Sequence, residues 1–103
     1  HVNELARCFQ EGFTSLAKRH ADFFRGIRQL GLMMGLELKD DLCGPILSKC
    51  AYDQGLLMVY ANNAPSICQC LPPLNMALDR VPWVMTRLDR AMAAAAEFRS
   101  ALD

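Results

Sequence analysis

Apolar residues at the start of the chain recur at helical spacing: Val2, Leu5, Phe9, Phe13, Leu16 and Ala17 share one stripe. Glu4, Arg7, Glu11, Lys18 and Arg19 fall mostly off it, so the spacing predicts an amphipathic helix. Gly12 weakens that helix by about 1 kcal/mol relative to alanine, and its missing side chain leaves room for another element to approach. From Leu30 to Lys39 the period changes to two. Leu30, Leu32, Met34, Leu36 and Leu38 point one way, while Gly31, Met33, Gly35, Glu37 and Lys39 point the other. This is the pattern of a half-buried strand. Gly31 and Gly35 strip side chains from its second face, where something can come close.

Asp40-Asp41 ends that strand, and Gly44-Pro45 opens a second helix with Pro45 in its first turn. Ile46, Leu47, Cys50 and Ala51 form its apolar side, and Gly55 is a natural stop. Leu56 to Tyr60 is a continuous apolar run that predicts a short buried strand. Residues 61–65 have turn chemistry, and Ser66 to Leu71 reads as a further strand ended by Pro72-Pro73. The final helix is marked by Val81, Val84, Leu88, Ala91, Met92, Ala95, Phe98 and Leu102, with Asp79 as its expected N-cap and Pro82 in its first turn. Arg87, Arg90, Glu97 and Arg99 decorate the rest as a solvated face. The order helix, strand, helix, two strands, helix predicts an α+β fold: a small, mainly antiparallel sheet packed with helices.

Bulk properties narrow the possibilities. A chain of 103 residues is one domain, and 52% apolar content argues against disorder. That content either fills a small core or leaves apolar surface for a neighbour. Eleven basic and eleven acidic residues cancel, which points to neither a nucleic-acid partner nor an anionic membrane. No apolar run approaches the roughly twenty residues needed to span a bilayer. The five cysteines form no CxxC pair and no metal-ligand cluster, so they read as reduced thiols of a cytoplasmic protein. The start carries no secretory leader pattern and no initiator Met, as expected of a piece of something longer.

Three motifs together carry a resemblance. Arg25-Gly26 stands just upstream of Leu30-Gly31-Leu32-Met33-Met34-Gly35-Leu36-Glu37-Leu38. Gln54-Gly55-Leu56-Leu57-Met58 follows, and then Ile67-Cys68-Gln69-Cys70-Leu71-Pro72-Pro73-Leu74. In this order, with a terminal amphipathic helix, they resemble the C-terminal small domain of class III (omega) aminotransferases, which depend on pyridoxal phosphate. The resemblance spans nearly the whole chain, residues 1–103 as a single domain. It implies that this domain covers the active site and contributes substrate-end contacts. A large domain of the same polypeptide would hold the cofactor and the catalytic lysine. The complete enzyme would be a homodimer moving an amino group from an amino acid or amine to an oxo acid, and this chain alone would be inactive. The family often carries Arg, which grips a substrate carboxylate, where this chain has Gln69. A Gln amide lacks both the charge and the planar two-toothed geometry of a guanidinium. Gln69 is thus the expected substrate-binding residue, with an altered preference.

No catalytic, cofactor-binding or metal-ligating residue is expected within the chain itself. Lys18, Lys39 and Lys49 lie in charged or polar settings that would not desolvate an amine. His20 ends the first helix, where a cation complements the helix dipole; His1 stands at the first position of the chain. Cys68 and Cys70 share a strand face and pack as small hydrophobes, leaving Gln69 on the opposite face. Trp83 and Tyr60 are open between ordinary packing and contact with a missing domain or a second subunit. The competing reading is an independent α+β binding or interaction module without catalysis.

Overall fold

The computed structural model describes residues 2–30, 33–61, 64–70 and 76–102. Helix α1 (Val2–Arg19) buries Leu5, Phe9, Phe13 and Leu16. Strands β1 (Phe24–Leu30) and β2 (Met33–Leu38) follow, then α2 (Cys43–Asp53), β3 (Val59–Ala61) and β4 (Ala64–Cys70). A single 3-10 turn (Leu78–Arg80) leads into α3 (Val81–Ala101). The strands form one sheet in the order β1-β2-β4-β3, each neighbouring pair antiparallel. The fold is the expected α+β class.

One strand escapes the sequence pattern. The strand expected over Leu30–Lys39 is β2 preceded by the last residue of β1, and Leu30 pairs with Met33 across the hairpin. The hairpin tip, with Gly31 and Leu32, lies outside the described residues. Strand β1 carries a register shift: Phe24 pairs with Leu38 and Gly26 with Glu37, leaving Arg25 as the extra residue. A bulge breaks the period of two, so Phe24 and Ile27, three apart, both lie against the helices. Phe23 and Phe24 are buried although no alternation announces them. In β2 the alternation holds, and Met34, Leu36 and Leu38 are buried.

The run Leu56–Tyr60 is a second correction. Only Val59–Ala61 is strand, and Met58 is buried while Leu57 is 84% and Val59 56% exposed. An edge strand with helices on one side cannot bury both of its faces. Helix α2 starts at Cys43 and presses its Gly44 onto the sheet. A methyl group at Gly44 would lie 1.8 Å from the Pro65 carbonyl oxygen, so only glycine fits. The Ser48 hydroxyl donates to the Met58 carbonyl at 2.7 Å, tying α2 to the segment before β3. Gly55 ends the helix at φ +82°, as expected of a C-terminal stop.

In α3, Val81, Val84, Leu88, Ala91, Met92 and Ala95 face the core, but Phe98 is 56% and Leu102 54% exposed. Helix α3 packs on α1 and α2, and Phe98 and Leu102 lie off the surface they bury. Asp79 sits in the 3-10 turn and is not the cap; Arg80 precedes the helix in helical conformation, so the turn runs straight on into α3. Pro82 occupies the first turn, where its missing N–H costs no bond. Gly12 does admit a neighbour: a methyl there would meet the Met85 sulfur at 2.6 Å, so α3 packs over α1 at that point.

Candidate functional site: the helix-free face of the sheet

The helices cover one face of the sheet, where Phe24, Met34, Leu36, Leu38 and Cys68 are all buried. Alternation sends the intervening residues to the other face. There Gly35 of β2 pairs with Gln69 of β4, and Gln69 pairs in turn with Val59 of β3. One step along, Glu37 pairs with Ile67. Gln69 is exposed, beside a residue without a side chain on one flank and the exposed Val59 on the other. The sheet thus presents a polar amide between a glycine and an exposed valine on this face. Gln69 therefore lies on the face opposite Cys68, as expected. The Pro72-Pro73-Leu74 end of its motif lies outside the described residues.

The thiols of that motif are inert. Burial pushes Cys68 up to about 12 and Cys70 up to about 11, so both stay protonated at neutral pH. Among the described residues no group of His, Cys, Asp and Glu could hold a metal ion. Lys18, Lys39 and Lys49 are exposed. The Lys49 ammonium donates to both Asp53 carboxylate oxygens at 2.8 Å, which raises its pKa above the ordinary lysine value. A Schiff-base lysine needs the opposite, a desolvated amine whose neutral form is favoured. Lys49, so paired, does not fit the Schiff-base role.

His20 makes a tertiary contact, and Trp83 lies at the surface between two arginines. His20 Nε2 lies 2.7 Å from Asp89 Oδ1, and Arg19 reaches the other oxygen of Asp89 at 2.9 Å. His20 thus ties the end of α1 to α3, a tertiary bond in addition to the expected helix-end position. Trp83, 42% exposed, is flanked by the guanidinium groups of Arg87 at 4.9 Å and Arg80 at 5.5 Å. His1 lies outside the described residues.

Arg99 corrects the reading of α3's arginines as a solvated face. Its side chain is only 13% exposed, and its Nη2 donates to Asp40 Oδ2 at 2.7 Å while Nε donates to the same oxygen at 3.0 Å. The bond, helped by the Leu42 backbone N–H and the Cys43 thiol, holds the Asp40 carboxyl down at about 2. Sequence separation hides this pair, since its members lie 59 positions apart.

An antiparallel sheet with helices on one face and an exposed face on the other is an α+β architecture. The comparisons with known proteins place the chain further. It is 38% identical over 86 residues to an uncharacterized aminotransferase of Archaeoglobus fulgidus, which covers 84% of this chain and 20% of the relative. It is 34% identical over 96 residues to the acetylornithine aminotransferase of Parasynechococcus marenigrum, covering 90% of this chain and 22% of that protein. The crystal structure of N-acetylornithine aminotransferase from Stenotrophomonas maltophilia superposes with a TM-score of 0.78 at 28% identity, covering 97% of this chain and 26% of that one. No family model matches the chain. The chain is homologous to the C-terminal region of acetylornithine aminotransferases and class III transaminases. It spans about a fifth of the length of the curated relatives it matches. Among the described residues no helix is long and apolar enough to cross a membrane.

Proposed function

We propose that this chain is the substrate-end domain of a class III, pyridoxal-phosphate-dependent aminotransferase of the cytoplasm. In this reading the helix-free sheet face covers the active site, and a large domain of the same polypeptide supplies the cofactor and the catalytic lysine. The complete enzyme, a homodimer, moves an amino group from an amino acid or amine to an oxo acid. The chain by itself is inactive.

One observation carries the reading: Gln69 stands exposed between Gly35 and Val59 on the face the helices leave bare. A substrate carboxylate meeting that face finds a neutral amide donor instead of a guanidinium. The amide can hold one oxygen but cannot neutralise the charge, which favours substrates whose distal end is uncharged. The test is the complete enzyme with Gln69→Arg, assayed against a dicarboxylate and a monocarboxylate acceptor. A restored charge-assisted pair, worth about 1.5–3 kcal/mol, raises kcat/KM for the dicarboxylate roughly 10- to 100-fold relative to the monocarboxylate. An unchanged ranking of the two acceptors refutes the role of Gln69.

A further inference from the structure

A recess away from the bare sheet face gathers cations that the sequence scatters. It has a volume of about 430 Å³, a floor of Phe23 and Ala96, and walls that include Arg25, Lys39, Arg99 and Asp22. Against these three cations stand Asp22 in the wall and Asp40 on Arg99, a net excess of one positive charge in a chain whose formal charge is zero. The three come from different elements. Arg25 is the bulged residue of β1, freed from the alternation of its strand. Lys39 follows the last residue of β2, and its backbone N–H donates to the Phe23 carbonyl at 2.9 Å, closing the floor. Arg99 comes from the last turns of α3, next to Ser100, which also lines the recess. Asp40 offsets part of the charge, but it also pins the Arg99 side chain in place. A guanidinium already immobilised loses little further entropy on binding. The volume lies within the range of pockets for small metabolites.

We propose that this recess binds a small, multiply charged oxyanion, held by Arg25 and Lys39 above the fixed guanidinium of Arg99. Phosphate and polycarboxylate groups share the chemistry that would recognise it: several oxygens that accept charge-assisted hydrogen bonds. The site is independent of Gln69 and of the reading built on it.

The test titrates the 103-residue chain with inorganic pyrophosphate and, separately, with citrate, at constant ionic strength. Amide chemical shifts and calorimetry are the readouts. Saturable binding is expected, with shifts concentrated at Arg25, Lys39 and Ser100. The tighter of the two anions assigns the ligand class. Arg25→Gln combined with Lys39→Gln should weaken binding about tenfold, from two exposed ion pairs each worth up to about 1 kcal/mol. Arg7→Gln on α1, as a control for net charge, should leave it unchanged. Arg99 is left intact, because removing it would leave Asp40 without its guanidinium. Binding of neither anion overturns the proposal. So does binding that Arg7→Gln weakens as much as the double variant does.

Discussion

The two faces of this sheet are made from the same strands and could hardly differ more. Toward the helices Phe24, Met34, Leu36, Leu38 and Cys68 are buried, and Gly44 of α2 lets that helix approach the backbone of β4. On the other side lie Gly26, Gly35, Glu37, Ile67, Gln69 and Val59, none of them buried. One face is a finished core; the other keeps apolar and polar groups at a surface. Large apolar residues at the surface, Leu57 and Val59 among them, are what an interaction surface looks like before its partner is in place. Stability therefore resides on one side and recognition on the other, and substitutions should separate them.

The largest expected contrast is between two glycines. Gly44→Ala forces a methyl into the Pro65 carbonyl and requires backbone movement, with an expected loss of about 3 kcal/mol or failure to fold. Gly26→Ala meets nothing within 4 Å and should be neutral or stabilising by up to about 1 kcal/mol. Urea unfolding of the two variants checks the pair. Equal losses would mean the faces are not mechanically distinct.

A second contrast uses side chains. Leu36→Ala empties a fully buried site between the sheet and the helices and should cost about 2–5 kcal/mol. Val59→Thr, on a residue already 56% exposed, should stay within about 0.5 kcal/mol. It should also reduce binding of a hydrophobic dye, and unchanged dye binding would show that the bare face is not the source of it.

The smallest effect is a dependence on pH. Asp40 has its carboxyl lowered from 3.8 to about 2, chiefly by the Arg99 hydrogen bond. A group depressed in the folded state contributes stability that is fully present above its ordinary pKa and is lost as pH falls through the folded value. The Asp40 contribution should thus fade as pH drops from about 4 toward about 2. Asp40→Asn should flatten that part of the stability profile and leave the rest in place. An unaltered acid limb would assign the loss to other carboxylates.

How much of this was legible beforehand depends on the range of the interactions. The stripes of α1 and α3, the alternation of β2, the stop at Gly55 and the packing gap at Gly12 were all written in local spacing. Gln69 was placed on the face opposite Cys68 by counting in twos. The bulge at Arg25 was invisible, because an extra residue destroys the very period by which a strand is recognised. The apolar run before Tyr60 misled for the opposite reason: composition reports that residues are apolar, but not whether a layer lies on each side of them.

The amino-acid sequence by itself determined the class of fold and most of the core-facing stripes, which follow from spacing along the chain, while its motifs carried the resemblance to aminotransferase C-terminal regions. Tertiary structure alone decided that Arg99 grips Asp40, that His20 meets Asp89, and that Arg25, Lys39 and Arg99 share one recess. Those groups lie tens of positions apart. The energy of a charge depends on its distance in space from its partner, and only the folded chain sets that distance.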